Sequence, residues 1–186
     1  MSIEIEVKFR VANLEPLRAQ LRASGAAPGA MSTQIDTYLS HPDRDFAETD
    51  EALRIRSGSV ANFLTYKGPK WGGPTKTREE VEIAFEAGPE PSGRLALLFD
   101  RLGFKTIAVI AKNRTQFHVD ASGRALQVAL DEARDLGAFV EVETLAENEA
   151  DVAAAQEAVL KLAQQLGLSE VEPRSYLRMA LERLGR

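Results

Sequence analysis

Charged side chains at every second position mark five short segments of the sequence. Most residues between and around these charges are apolar and β-branched or aromatic. The segments are Glu4-x-Glu6-x-Lys8, Arg54-x-Arg56, Arg78-x-Glu80-x-Glu82, Lys112-x-Arg114 and Glu141-x-Glu143, and single charges of the same kind stand at Lys67 and Asp131. Clustered carboxylates suit Mg²⁺ or Mn²⁺, and arginine or lysine side chains suit phosphate oxygens. If these side chains converge, they predict a site for a polyphosphate and a divalent metal ion.

Alternation of charged and apolar residues is typical of a half-buried β-strand, because successive side chains on a strand point to opposite faces. Taken singly, each charged face would be explained by solvent exposure on an antiparallel sheet. Two features of the whole set favour a site instead. Three of the five segments carry charges of a single sign, whereas surfaces that serve solubility usually mix the signs. The predicted helices also need apolar sheet faces on which to pack, which leaves the charged faces for the interior of a barrel.

The same periodicities predict eight strands and four helices. The expected strands cover residues 3–9, 31–39, 52–56, 62–67, 77–87, 104–119, 126–131 and 137–143. The expected helices cover residues 14–24, 91–101 and 149–166, and a shorter one follows Pro173. About eight antiparallel strands can close into a barrel. We therefore expect an α+β fold, an eight-stranded antiparallel β-barrel with a charged lumen and helices packed outside, in which residues 1–186 form a single domain.

Local signals define several of the element boundaries. Asn13 is expected to cap the first helix. The dipeptide Ser122-Gly123 is expected to form a hairpin turn, and residues 70–76 are expected to form a loop because they are rich in glycine and proline. The apolar stripe of the second helix is expected to comprise Leu95, Leu98 and Leu102.

Composition excludes several kinds of site. The chain has 186 residues and a net charge of -5, so a general nucleic-acid-binding role is not expected. It has no cysteine, which excludes disulfides, thiolate metal sites and cysteine nucleophiles. With only His41 and His118, any metal would be held by carboxylates. The absence of a long apolar run and of a signal-peptide pattern predicts a cytoplasmic protein without a membrane partner.

The ordered series of motifs resembles the CYTH, or triphosphate tunnel metalloenzyme, superfamily. The opening Glu4-x-Glu6-x-Lys8 is similar to the ExExK signature of that superfamily, and further motifs follow over nearly the whole chain. These are Asp36-Thr37-Tyr38, Leu53-Arg54-Ile55-Arg56, Tyr66-Lys67-Gly68-Pro69, Arg78-x-Glu80-x-Glu82, Lys112-x-Arg114, Asp131 with Leu136-Gly137, and Glu141-x-Glu143. The ending Glu172-Pro173-Arg174-Ser175-Tyr176 is similar to the C-terminal motif of class IV adenylate cyclases.

The resemblance implies a tunnel that binds a nucleoside or other triphosphate with two divalent metal ions, Mg²⁺ or Mn²⁺. It assigns metal binding to Glu4, Glu6, Glu141 and Glu143. It assigns triphosphate binding to Lys8, Arg54, Arg56, Lys67, Arg78, Lys112, Arg114 and Arg174. Catalytic roles are implied for Glu4, Glu6, Lys8, Glu82 and Asp131. The cyclase branch also suggests a homodimer.

Several of these positions keep a structural alternative. Glu80 and its neighbours on the strand would also fit an internal salt-bridge network, and Asp131 would fit a cap for the turn before Gly137. Arg174 would also fit the protein surface. His118 is expected at the end of the barrel with a structural role, and Trp71 is expected to act as a lid or packing residue.

Two reactions fit the same lining. In the cyclase reaction, the 3′-hydroxyl of ATP attacks the α-phosphorus, and in the hydrolase reaction water attacks the terminal phosphorus of thiamine triphosphate or inorganic triphosphate. The C-terminal motif favours the cyclase. A module that binds polyphosphate or nucleotide without turnover is an alternative of another class, but a pure anion binder gains nothing from four carboxylates. A lipid-carrying barrel would need an apolar lumen, which the charge pattern contradicts.

Overall fold

Long alternating segments form the strands of the barrel in the computed structural model, which describes residues 2–185. The strands are β1 Ser2–Val11, β2 Ala27–Ser40, β3 Ala52–Ser57, β4 Asn62–Lys67, β5 Lys76–Phe85, β6 Lys105–Ala121, β7 Arg124–Ala133 and β8 Gly137–Ala146. The helices are α1 Glu15–Ala23, α2 Pro89–Arg101, α3 Val152–Gln165 and α4 Tyr176–Arg183, and a 3₁₀ turn at Glu149–Asp151 leads into α3. Among the helices within this range, none has the length and apolarity needed to cross a membrane.

The strands form one closed ring in which every neighbouring pair is antiparallel. The order around the ring is β1, β5, β4, β3, β2, β6, β7 and β8, and β8 pairs with β1. Closure gives every strand two neighbours, so none of the described strands lies at the edge of an open sheet. This arrangement confirms the predicted eight-stranded barrel.

The main apolar core lies between the outer faces of β1, β7 and β8 and the helices α1 and α3. Ile5 and Val142 come from the barrel, and Leu21, Val159 and Leu162 come from the helices; each is at most 5% exposed. Burial of such a side chain stabilises the folded state by about 1.5–3 kcal/mol. The apolar faces of these strands therefore point outward, which leaves their charged faces to the lumen.

Helix α2 presents a different face to the barrel from the predicted one. Leu95, Ala96 and Phe99 pack against the outer side of β3, whereas Leu98 and Leu102 are 54% and 60% exposed. The prediction was therefore correct for Leu95 but wrong for Leu98 and Leu102. Apolar residues surround much of this helix, so two stripes share helical spacing, and periodicity alone could not choose between them.

The helices leave part of the outer barrel surface uncovered. Val81 and Ile83 on β5 are 42% and 57% exposed, and Ile35 on β2 and Val109 on β6 are 44% and 61% exposed. The expectation that helices cover the apolar strand faces therefore holds at the main core but not on this side.

Helix α4 and the chain before it close one end of the barrel. Tyr176 and Met179 of this helix pack with Tyr38, Ile110 and Phe139 from the strands, and all five side chains are buried. We call this the α4 end of the barrel. It is the end at which β1 finishes, because Arg10, near the end of that strand, lies across from Phe139.

Of two predicted element boundaries, the hairpin turn is confirmed and the helix cap is not. Leu14, not Asn13, occupies the N-cap of α1, although Asn13 Oδ1 accepts a hydrogen bond from Glu15 N at 2.9 Å. The hairpin prediction is confirmed, because Ser122 and Gly123 join β6 to β7 with φ values of 55° and 71°. Positive φ at both central residues matches the twist of the flanking strands.

Candidate active site

The inward faces of the strands line a cavity of about 1320 Å³. The predicted site residues that line it are Glu4, Glu6, Lys8, Arg54, Arg56, Lys67, Arg78, Glu82, Lys112, Arg114, Glu141, Glu143 and Arg174. Asp131 lies behind this lining and is fully buried. The structure therefore brings the charged strand faces together on the side opposite to the apolar core.

Three of the predicted carboxylates form a group that could hold a metal ion. Glu4 and Glu6 stand on β1, and Glu143 lies opposite Glu6 on β8. One oxygen from each of the three lies within 4.8 Å of the others. Burial, together with the nearby Glu4 carboxylate, raises the pKa of Glu143 to about 8. Because a divalent cation takes carboxylate oxygens and offsets their repulsion, these donors fit Mg²⁺ or Mn²⁺.

Lys67 joins Glu4 to Glu80 beside this carboxylate group. Its Nζ donates to Glu4 Oε2 at 3.1 Å and also to Glu80 Oε1. Burial alone would raise the pKa of Glu4, but Lys67 and a hydrogen bond with Glu80 lower it to about 2. Burial and the adjacent Glu4 raise the pKa of Glu80 to about 8. With Arg78 Nε at 3.7 Å, Glu80 belongs to an internal ion-pair network, the alternative that the sequence left open.

Asp36 orients the two arginines of β3. It accepts from Arg56 Nε and Nη2 at 2.7 and 2.8 Å and lies 3.6 Å from Arg54 Nη1. Burial would raise the pKa of Asp36, but these two guanidinium groups hold it well below its usual range. Arg54 also donates to Thr65 Oγ1 at 3.2 Å, and Thr65 donates to Glu82 at 2.9 Å. The bidentate pair and this chain fix the planes of both guanidinium groups.

Asp131 holds a second group of cations in place. It accepts from Arg114 Nε and Nη2 at 2.7 and 2.5 Å, from Lys112 Nζ at 3.2 Å and from Tyr176 Oη at 2.7 Å. Arg114 also donates to Glu141. Asp131 therefore positions cations instead of facing the cavity. Glu141, one of the four implied metal ligands, pairs with Arg114 and lies outside the group formed by Glu4, Glu6 and Glu143.

Several buried cationic groups retain unused hydrogen-bond donors. Lys8 Nζ, Arg54 Nε and Arg78 Nε have no hydrogen-bond partner within residues 2–185, and Lys8 Nζ lies 3.9 Å from Glu141 Oε1. Burial lowers the pKa of both Lys8 and Lys112 to about 8. A buried donor without an acceptor costs free energy, so the lining is suited to an anion with many oxygens.

Arg174 lies at the edge of the cavity, where acidic side chains engage its guanidinium group. Nε donates to Glu172 Oε1 at 2.7 Å, and Nη1 donates to Glu182 Oε2 at 3.1 Å. The side chain is 45% exposed. The structure thus places Arg174 at the rim, with its donors shared among two carboxylates.

Lys76 is a site residue that the sequence analysis missed. Its Nζ donates to Glu6 Oε1 at 3.0 Å, and the side chain lines the cavity. The glycine- and proline-rich segment before it favoured a loop through residues 70–76. The signal that could have identified Lys76 is its spacing of two residues from Arg78. Similarly, Asp36 and Tyr176 were recognised as motif residues, but their bonding partners were not.

Known proteins resemble this chain along most of its length. A family model described as CYTH domain matches residues 2–176. A protein of Methanocaldococcus jannaschii, named provisionally as an adenylate cyclase, is 36% identical over 141 residues, which are 76% of this chain and 76% of that protein. Adenylate cyclase CyaB of Aeromonas hydrophila is 25% identical over 180 residues, which are 93% of this chain and 86% of that protein.

A solved structure shows the same fold. The PH1819 protein from Pyrococcus horikoshii OT3 superposes with a TM-score of 0.84 and is 36% identical. The similarity covers 97% of this chain and 99% of that one.

Proposed function

Because this chain belongs to the CYTH domain family, we propose that it is a divalent-metal-dependent enzyme that converts ATP into cyclic AMP and pyrophosphate. The names of the two relatives described above support a cyclase. The C-terminal segment supports the same reaction, since Glu172 to Tyr176 keep the motif that resembles class IV adenylate cyclases.

One observation carries the proposal: unsatisfied cationic donors lie beside a carboxylate group in one cavity. Lys8, Arg54 and Arg78 each leave a buried N–H group without an acceptor among the described residues. Leaving a buried donor unsatisfied costs about 1–3 kcal/mol. A triphosphate chain supplies acceptor oxygens for these donors, and the adjacent carboxylates suit the metal ion that accompanies a triphosphate.

The residues of this chain would stabilise the charge that moves during the reaction. The ribose 3′-oxygen forms a bond to the α-phosphorus while the bond from that phosphorus to the bridging oxygen breaks, so the electron pair leaves on pyrophosphate. The 3′-hydroxyl proton passes to solvent. Lys8, Lys112 and Arg54 would hold the phosphoryl oxygens as their charge increases. Asp131 would keep Arg114 and Lys112 in place without contacting the substrate.

The metal ion would be held by Glu4, Glu6 and Glu143. When bound, Mg²⁺ or Mn²⁺ supplies Lewis-acid polarisation of the phosphoryl oxygens. Lys76 and Lys67 pair with Glu6 and Glu4 at 3.0 and 3.1 Å, which orients both carboxylates beside Glu143. Glu141 would accept a hydrogen bond from Arg114 and so orient this guanidinium group, without binding the metal ion.

Hydrolysis of a triphosphate is the second candidate. The cationic side chains that face the cavity select for phosphoryl oxygens and do not distinguish the α-phosphorus from the terminal one. The same lining would therefore also serve attack by water on thiamine triphosphate or inorganic triphosphate. A module that binds polyphosphate without turnover is the remaining alternative.

Product identification separates these candidates. Purified protein is incubated with ATP, thiamine triphosphate or inorganic triphosphate in the presence of Mg²⁺ or Mn²⁺, with Glu6→Gln protein as the control. Cyclic AMP and pyrophosphate from ATP would support the cyclase. Rapid orthophosphate release from inorganic triphosphate without cyclic AMP would contradict it and support the hydrolase, whereas metal-dependent binding without any product would support the binding module.

A further inference from the structure

A short segment before α4 runs along β1 beside the charged cavity. The pairing between β1 and β5 ends at Glu6, and beyond that residue the C-terminal part of the chain takes the place of β5. There the backbone N–H of Glu172 donates to the carbonyl oxygen of Lys8 at 2.8 Å. We call residues 170–175 the C-terminal strap. Because the strap is fixed to β1 at this point, it places Tyr176, the first residue of α4, at the wall of the cavity.

Tyr176 contacts charged side chains from three different strands. The centre of its ring lies 4.0 Å from Lys8 Nζ and 4.8 Å from Lys112 Nζ. Its hydroxyl group donates to Asp131 Oδ2 at 2.7 Å, and the same oxygen accepts from Lys112 Nζ at 3.2 Å. The tyrosine is only 6% exposed. One buried side chain of α4 therefore links charged groups on β1, β6 and β7.

The ring of Tyr176 compensates the buried charge of Lys8 in an unusual way. Lys8 Nζ has no hydrogen-bond acceptor among residues 2–185, and the ring lies about as close to it as Glu141 Oε1, which is 3.9 Å away. The face of an aromatic ring attracts an ammonium group, and the attraction is stronger where water is excluded. Because the ring offers no lone pair in place of an acceptor oxygen, the three N–H groups of the lysine stay available for phosphate oxygens.

The hydroxyl group of Tyr176 acts on the other cations through Asp131. Burial, together with the charges of Glu141 and Asp131, raises the pKa of Tyr176 well above its usual value, so the hydroxyl group stays protonated and donates. Asp131 Oδ2 also accepts from Arg114 Nη2 at 2.5 Å. This oxygen therefore receives donors from α4 and from two residues of β6. Such supporting bonds fix the direction of a side chain that itself orients others.

We propose that Tyr176 is a positioning residue of the triphosphate site, which acts on the substrate through the cations of the lining. Its ring holds the ammonium groups of Lys8 and Lys112, and its hydroxyl group holds Asp131. This inference rests on the proposed function, because it takes these cations as the groups that bind a triphosphate. The strands carry the cations, but the site is complete only when the C-terminal strap and α4 are docked.

A purely structural role for Tyr176 makes a different prediction, and Met179 provides the comparison. Both residues lie on α4 and are buried in the same apolar cluster. Tyr176 packs there edge-on against Phe139, with ring centres 5.3 Å apart. Met179, however, is not among the described residues that line the cavity. Truncation of Met179 therefore loosens the packing of α4 and leaves the contacts of Tyr176 with the cations in place.

A graded series of variants tests this role. The affinity for inorganic triphosphate is measured by calorimetry with Mg²⁺ at one pH, for the wild type, Tyr176→Phe, Tyr176→Leu and Met179→Ala. Phenylalanine keeps the ring and removes the hydroxyl group, whereas leucine removes both. We expect Tyr176→Phe to bind roughly fivefold more weakly than the wild type, because one hydrogen bond to Asp131 is lost. Tyr176→Leu should bind at least about threefold more weakly again, because the ring contacts with two ammonium groups are also lost.

The control separates positioning from packing. Met179→Ala should unfold at a lower temperature than the wild type and bind triphosphate with the affinity of the wild type, and thermal unfolding verifies that every variant folds. Equal loss of affinity in Met179→Ala and Tyr176→Leu, or wild-type affinity in Tyr176→Leu, would overturn the positioning role while leaving the triphosphate site intact. If Tyr176→Leu does not fold, wild-type affinity in Tyr176→Phe would overturn it. A wild-type protein that does not bind triphosphate would overturn the proposed function as well.

Discussion

Glu141 and Glu143 stand two residues apart on β8, yet their surroundings differ in sign. Glu141 pairs with Arg114 and lies 3.9 Å from Lys8 Nζ, and these cations, with others nearby, outweigh burial and hold its pKa well below the usual range. Glu143 faces other carboxylates, and its pKa is raised to about 8 by burial and Glu4. The register between β8 and its neighbours thus places Glu141 beside arginine and lysine side chains. It places Glu143 beside two other carboxylates, with which it could bind a metal ion.

Glu143→Gln tests this division at the metal site. We expect the variant to lose most of its affinity for Mn²⁺ and to unfold at the same or a higher temperature, because a half-buried carboxylate next to Glu4 and Glu6 is replaced by a neutral amide. Calorimetric titration with Mn²⁺ and thermal unfolding measure the two effects. Glu157→Gln, at an exposed position on α3, is the matched control. Unchanged Mn²⁺ affinity would show that Glu143 is not a ligand.

Lys112 gives a pH dependence whose sign follows from its surroundings. Burial, helped by Arg114, lowers its pKa from 10.5 to about 8, so the folded state favours the neutral amine. The cost of burying the charged form is fully present below about pH 8 and disappears as the pH rises from about 8 to 10.5, whereas the positive charge available for phosphate is lost around pH 8. We therefore expect affinity for triphosphate to fall between about pH 7 and 9.

Lys112→Arg is the matched variant for this dependence, because a guanidinium group stays charged over the whole range. Calorimetric affinities at several pH values should show a smaller decline for the variant than for the wild type. A wild-type affinity that does not change between pH 7 and 9, or an equal decline in both proteins, would remove Lys112 from the phosphate site.

At the scale of elements, α3 stabilises the barrel through one face only. Leu162 is 5% exposed in the main core, whereas Leu160 on the same helix is 38% exposed. Truncation of a buried leucine typically costs about 2–5 kcal/mol, so we expect Leu162→Ala to lower the free energy of unfolding by about that amount and Leu160→Ala by much less. Denaturant unfolding measures both. Since the core lies outside the barrel, triphosphate affinity of the folded Leu162→Ala protein should match the wild type, and equal losses of stability in the two variants would contradict this packing.

The sequence was sufficient to predict most of the strands, their inward faces and one hairpin turn. Alternation in β1 and β8 identified the inward residues because a strand has only two faces, and Ser122-Gly123 located a hairpin by its turn chemistry. The buried face of α2 could not be predicted, since Phe99 and Leu98 belong to two overlapping apolar stripes. Lys76 was assigned to a loop because the glycines and prolines before it outweighed its spacing from Arg78.

The sequence also could not show which charged side chains of the site pair with one another. Inward direction is a property of one strand, but bonding partners depend on the register between strands that are distant along the chain. Glu6 on β1 lies opposite Glu143 on β8, and Lys67 on β4 donates a hydrogen bond to Glu4 on β1. Periodicity could therefore place these groups in the lumen without showing which carboxylate pairs with a lysine and which faces another carboxylate.

At the scale of the whole molecule, the chain has a modest net charge of -5, but the barrel gathers many carboxylates and cationic side chains around one cavity. The apolar strand faces point outward, and many of their side chains are buried under α1, α2 and α3, so the charged faces line the lumen. Buried charges are tolerated when they are paired, and most of these are. Those that keep unused donors, Lys8, Arg54 and Arg78, lie on three different strands. A polyanion with a metal ion is the ligand that would satisfy the cations and the carboxylates at once.

The position of a bound metal ion and triphosphate tests this central claim most directly. Crystals grown with Mn²⁺ and a non-hydrolysable ATP analogue allow the metal to be located by its anomalous scattering. The expected result is a Mn²⁺ peak within ligand distance of Glu4, Glu6 and Glu143, with phosphate oxygens near Lys8, Arg54 and Arg78. Metal and phosphates bound outside the barrel, or a cavity that stays without either ligand at saturating concentrations, would contradict the account.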